Sequence, residues 1–301
     1  MDWKNKLREI IEDYPNFDSF LKSRNEDWVS EVSEVKAKIL FLRLRKPANT
    51  PMEVTIEEAI GYIGNEEKGA SDLRDMILRQ EWKGVYEALT QIEVTGQLRK
   101  HHGDKVEMEY SESGTDSEPD AMLETDEGSF VIEITDADCV IRADEDSEPG
   151  EVKAKFINTT DGNKLGSKVS NKLERQLKHF SNDHYTVLVM CSESIINHNV
   201  LESHLLGNPK VKIYTDKETG EPAGSETVRG TPVINLDENS EHLDMLFHYN
   251  DTSNEASLYA SVGLDWQAVK VIADIFGQKE VTPFKNDENM EYEEWQKEEK
   301  E

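Results

Sequence analysis

Residues 119–135 read PDAMLETDEGSFVIEIT, and the fold of the chain turns on how this stretch is taken. Two runs of strand length, DAMLET (120–125) and SFVIEIT (129–135), flank Asp126-Glu127-Gly128, where Gly128 can adopt the positive φ that closes a short hairpin loop. A two- or three-residue loop sets Asp120 opposite Glu133, or one residue from it, with the two carboxylates about 5 Å apart. In the second run Phe130, Ile132 and Ile134 share one face and Val131, Glu133 and Thr135 the other, so Glu133 is not part of a solvated stripe. Like charges this close on a half-buried surface are unfavourable unless one is protonated or a cation lies between them. A divalent cation removes the conflict, because Mg²⁺ prefers hard oxygen ligands in twos and threes, completed by water and substrate phosphate.

The segment that follows supplies the opposite charge. Over 151–178, seven Lys and Arg stand against three acids, Glu151, Asp161 and Glu174, in a chain that is acidic elsewhere. NKLGSKVSNKLERQLKHF (163–180) reads as a helix with Leu165, Val169, Leu173 and Leu177 as its apolar stripe. Lys164, Lys168, Lys172 and Gln176 recur every four residues along one side of it. A row of amines beside a carboxylate pair is what a phosphodiester site requires, since a metal ion generates the attacking water and lysine stabilises charge on the phosphate. Next comes YTVLVMC (185–191), an unbroken apolar run that suits a strand buried on both faces.

Upstream, KVEMEY (105–110) alternates with the two-residue period of a strand. A long helix is expected from about Ser71 to Lys100, interrupted or not near Gly84, with Ile77, Tyr86, Leu89 and Ile92 on its buried side. Thr55 with Glu58 forms a capping box that opens the short helix IEEAIGYI, and residues 2–46 read as helical throughout. VKIY, PVINL and LDMLFHY follow the 185–191 run as further strands, with a short helix around 197–206 before them.

At these residues the chain resembles the PD-(D/E)XK nuclease superfamily, in the variants that carry Glu-x-Thr in place of Glu-x-Lys. Pro119-Asp120 matches the first element and Glu133-Ile134-Thr135 the second. Lys172 and Gln176 resemble the relocated lysine and the helix glutamine of such variants, and Glu93 the helix acid that joins the metal shell, with Glu87 on the same helix as its rival. The resemblance covers roughly residues 80–250. It implies a restriction-endonuclease-like α/β fold, a mixed central sheet flanked by helices. It also implies Glu93, Asp120, Glu133 and the carbonyl of Ile134 as ligands of Mg²⁺ or Mn²⁺, Lys172 as the stabilising cation and Gln176 as the group that orients substrate or water. The departure is Thr135, which stands where the family's lysine activates or stabilises the attack.

Three segments are therefore expected: a helical region over 1–70, a restriction-endonuclease-like domain over 71–284, and a disordered acidic tail over 285–301. The 301 residues carry 34 Lys and Arg against 63 Asp and Glu, a formal charge of −29. No run approaches the ~18 apolar residues of a spanning helix and the amino terminus lacks a signal-peptide core, so no membrane partner and a cytoplasmic location are expected. Cys139 and Cys191, far apart and outside any CxxC, give no disulfide framework or thiolate zinc site. The histidine pairs His101-His102, His179 with His184, and His198 with His204 lack metal-site spacing, and no GxSxG turn, P-loop or dinucleotide loop is present. The acidity fits a salt-rich cytoplasm, although Lys exceeds Arg by 24 to 10.

The expected function is metal-dependent phosphodiester hydrolysis, with DNA ahead of RNA as substrate by the family analogy. The alternative is a catalytically inactive nuclease-fold module that binds a protein partner through its acidic surface. Dimerisation stays open.

Overall fold

The computed structural model describes residues 3–48, 51–64, 69–109, 118–136, 141–143, 154–156, 172, 177, 180, 183–192, 209–215, 222–229, 242–250, 254–261 and 263–283. The segment 2–46, read as helical, forms four helices: α1 (Trp3–Ile11), α2 (Pro15–Lys22), α3 (Trp28–Glu31) and α4 (Glu34–Leu44). The breaks have local causes. Pro15 sits in the first turn of α2, where its missing N–H has no helical partner to lose. Ser33 caps α4 by accepting from Lys36 N.

Helix α5 (Ile56–Ile63) opens with the expected reciprocal cap, Thr55 Oγ1 accepting from Glu58 N while Glu58 Oε2 accepts from Thr55 N. The long helix is divided before Gly84: α6 (Ala70–Arg79) ends where Gln80 turns extended, and α7 (Trp82–His102) starts two residues later. Gly84 lies inside α7, where a Cβ would collide with the folded-back side chain of Gln80. Gly96, a little more than three turns on, lets α7 rest directly on Ala59 of α5.

Eleven strands are described: β1 (Val106–Met108), β2 (Ala121–Thr125), β3 (Gly128–Asp136), β4 (Ile141–Ala143), β5 (Ala154–Phe156), β6 (Tyr185–Ser192), β7 (Pro209–Thr215), β8 (Pro222–Arg229), β9 (Met245–Asn250), β10 (Glu255–Ala260) and β11 (Val281–Pro283). Seven form one mixed sheet in the order β1-β2-β3-β6-β9-β10-β11; β4 pairs with β5 and β7 with β8 in two-stranded ribbons. Strand β2 runs antiparallel to both β1 and β3, β3, β6 and β9 run parallel, β9 and β10 are antiparallel, and β11 returns parallel to β10. The chain is thus an α/β protein. The expected strand PVINL, the helix around 197–206 and the tail 285–301 lie outside the described residues.

One face of the sheet is apolar: Ile132, Val187 and Met245 stand in register across β3, β6 and β9, as do Ile134, Val189 and Phe247. It packs on Val94 and Leu98 of α7 and on a helix absent from the sequence reading, α8 (Trp266–Ile275), through Val269 and Ile272. The amino-terminal half of α7, from Val85 to Ile92, instead belongs to the helical core with α1, α2, α4, α5 and α6. The helical core therefore reaches past residue 70, and α7 is common to both cores.

A buried ion pair ties α7 to α4. Arg43 and Glu93 meet at 2.5 Å with side chains 4% and 2% exposed. Removing one charge strands the other in the interior, so Glu93→Ala should cost about 3–5 kcal/mol of unfolding free energy. The double replacement Arg43→Met with Glu93→Leu should recover most of that loss, as urea denaturation would show. A single-variant loss below about 1 kcal/mol would contradict the pairing.

Candidate active site

The hairpin closes on two residues, Asp126 and Glu127, between Thr125 and Gly128, which takes φ of 142°. The register pairs Ala121 with Ile132, and one further step sets Asp120 opposite Glu133. Strand alternation puts Glu133 and Thr135 on the face of β3 opposite to Ile132 and Ile134, while Asp120, just before β2, stands within reach of both Glu133 and α7. Glu133 has no exposure to solvent, and the Asp120 side chain is 18% exposed.

Lys172 meets the pair. Its Nζ donates to Glu133 Oε2 at 2.7 Å and stands 3.9 Å from Asp120 Oδ2. Asp120 is held at both oxygens: Oδ2 accepts from Ile134 N at 2.7 Å and Oδ1 from Gln91 Nε2, on α7, at 3.0 Å. Glu133 Oε1, by contrast, is buried without a hydrogen-bond partner, and so is Thr135 Oγ1.

The main chain adds one more oxygen. A strand residue directs its N–H and C=O to the same neighbour, and the N–H of Ile134 is taken by Asp120, so its carbonyl points to the β2 side as well. The residue opposite Ile134 in the extended register is Pro119, which has no N–H to offer it.

Electrostatics follow from the burial. Glu133 is pushed well above the usual glutamate range, first by burial and then by the charge of Asp120, with Lys172 pulling the other way. Burial also raises Asp120, with a further contribution from Glu87, against the counter-pull of Lys172 and the Ile134 N–H. Burial disfavours the Lys172 ammonium, but Asp120 and Glu133 together outweigh that and raise it.

The structure brings together Asp120, Glu133, Ile134 and Lys172 from the expected set and leaves Glu93 apart. Glu93 is two residues from Gln91, on the opposite side of α7, and its partner is Arg43. The acid of α7 that acts on the pair is Glu87, one turn before Gln91 on the same face, and its charge is felt by both Asp120 and Lys172. A signal for this was present: Glu93 falls one turn after Leu89, on the side of the helix read as buried. No comparable signal marks Gln91. Gln176, Lys164, Lys168, Cys139, His179, His198 and His204 lie outside the described residues. Cys191 is buried, as expected of a small core side chain.

Among the described residues, no three His, Cys, Asp or Glu side chains gather as a metal centre. The oxygens available to a cation are thus the two carboxylates, with Glu133 Oε1 unengaged, and the Ile134 carbonyl. All are hard donors of the kind Mg²⁺ and Mn²⁺ accept. No helix among the described residues is long and apolar enough to cross a membrane. Comparison of the chain with protein-family models, with curated proteins and with solved structures finds no match.

The raised Glu133 carboxyl has a measurable sign. The folded protein keeps a proton that the unfolded chain has released, so stability falls as pH rises from the usual glutamate range towards the raised value. Glu133→Gln, neutral throughout, removes that slope. In metal-free buffer its stability relative to wild type should climb by about 1.4 kcal/mol per pH unit inside the window, read from urea melts at successive pH values. A difference independent of pH would contradict the burial of an acid here.

Proposed function

We propose that the chain is a divalent-metal-dependent nuclease with a restriction-endonuclease-like fold of the PD-(D/E)XK type, acting on DNA in preference to RNA. The observation that carries the reading is the meeting of Asp120, Glu133 and Lys172, with Lys172 Nζ 2.7 Å from Glu133 Oε2 and 3.9 Å from Asp120 Oδ2. Asp120, Glu133 and the Ile134 carbonyl would hold Mg²⁺ or Mn²⁺. The bound cation supplies a Lewis acid at the phosphate and lowers the pKa of water.

The chain's own groups do the rest. Gln91 and the Ile134 N–H fix Asp120 in one orientation, so its lone pairs are preset. Glu133, without solvent around it, offers a strong field to whatever cation lies beside it. Lys172 is the one described cation reaching the pair, and it supplies the positive charge a phosphate requires. The acid of α7 in this arrangement is Glu87 and not Glu93.

The net charge of −29 favours a second reading, a module of this fold that cuts nothing and binds a protein partner through its acidic surface. One assay separates the two: incubation of single- and double-stranded DNA and RNA with the protein in Mg²⁺ or Mn²⁺, from low to molar KCl. The nuclease reading expects metal-dependent cutting, abolished by Asp120→Ala and Glu133→Ala and lowered about 10²–10³-fold by Lys172→Ala. Cutting by none of these proteins in any condition, with wild type correctly folded, would overturn it.

A further inference from the structure

Two oxygens beside the carboxylate pair have nothing to bond. Glu133 Oε1 and Thr135 Oγ1 are both out of reach of solvent and both without a hydrogen-bond partner. Their residues are 0% and 1% exposed. Strand alternation puts the two side chains on the same face of β3, with Cα atoms about 6–7 Å apart. A buried hydroxyl and a buried carboxylate oxygen left bare are costly, and interiors meet that cost with an ordered water or ion.

The chemistry of the two atoms suits water. The threonine hydroxyl donates and accepts, the carboxylate oxygen accepts, and a water molecule between them can accept from the first and donate to the second. Glu133 Oε2 is already engaged by Lys172, so the two oxygens of this carboxylate serve different partners.

We infer that Glu133 Oε1 and Thr135 Oγ1 hold one water molecule between them, and that Thr135 is the positioning residue that keeps this water beside the carboxylate pair for attack on phosphorus. The presence of the water stands on the two bare oxygens alone; its use in attack rests on the hydrolytic reading above. In that use the water oxygen forms the new bond to phosphorus and the ester P–O bond breaks. The departing oxygen leaves with the bonding pair and takes a proton from solvent, while the attacking water gives up a proton to solvent. Thr135, which departs from the family's lysine, then has a task of its own.

Thr135→Val keeps the shape and removes the hydroxyl; Thr135→Ser keeps the hydroxyl and guards against a mere packing defect. High-resolution crystal structures of the metal-free proteins should show ordered solvent within hydrogen-bond distance of both atoms in wild type. In Thr135→Ser it should remain, and in Thr135→Val it should be gone. In the Mn²⁺ assay Thr135→Val should lose about 10²-fold in kcat with KM nearly unchanged, and Thr135→Ser should restore most of it. Affinity for Mn²⁺, read by calorimetry, should be the same in all three.

A wild-type crystal with no solvent at the two atoms would overturn the water site whatever the activity. Solvent in place, with Thr135→Val cutting as fast as wild type, would overturn the positioning role and leave the nuclease reading intact. Solvent in place with a wild-type protein that binds no Mn²⁺ and cuts nothing would bring down the role together with the nuclease reading.

Discussion

The hydrogen bond from Lys172 Nζ to Glu133 Oε2 is what allows two carboxylates, one at the start of β2 and one on β3, to stand side by side within this sheet. Each acid alone would be expensive there, since an ionised carboxylate loses its hydration and gains a like-charged neighbour. The ammonium supplies one positive charge against two negative ones. The remainder is met by the Ile134 N–H, the Gln91 amide and a Glu133 carboxyl that is reluctant to ionise. A surplus of negative charge in a closed place is also an attraction for a cation. The cation site proposed above draws on the same surplus of charge that makes the bare pair costly.

The rest of the architecture holds this pair still. Asp120 lies just before β2 and Glu133 is on β3, and the two-residue loop fixes the register that sets them opposite each other. Pro119 ends the ladder at the point where Asp120 turns its side chain onto the Ile134 N–H. Helix α7 reaches the site through Gln91 while anchoring itself in both cores. Val94 and Leu98 lie in the sheet core, Val85 to Ile92 in the helical core, and Glu93 pairs with Arg43. The helical segments ahead of α7 thus have a mechanical part in the site: they determine how α7 lies on the sheet, and so where Gln91 and Glu87 are.

What could be read from the sequence was local. The hairpin, the opposition of Asp120 and Glu133 and the Thr55 to Glu58 cap depend on residues close in the chain, where strand alternation and capping geometry act directly. The approach of Lys172 followed from charge, because a lysine row next to an acidic pair has an obvious electrostatic destination. Contacts set by packing were not legible. Gln91 reaches Asp120 across 29 residues and Arg43 reaches Glu93 across 50, and nothing in their own neighbourhoods says so. The strand β11 has three residues, too few to show a period, and β8 (PAGSETVR) carries few apolar side chains. The partition of 71–100 into two helices falls where Gln80 takes an extended backbone, a local change that periodicity does not register.

The central claim is that Asp120 and Glu133 form a divalent-cation site. Its most direct test is a crystal of the full chain soaked in Mn²⁺ and measured at a wavelength where manganese scatters anomalously. The account predicts one strong anomalous peak within about 2.0–2.3 Å of carboxylate oxygens of both Asp120 and Glu133, with none in a crystal of Asp120→Ala. Lys172 still seated on Glu133 Oε2, with no peak at saturating Mn²⁺, would contradict it.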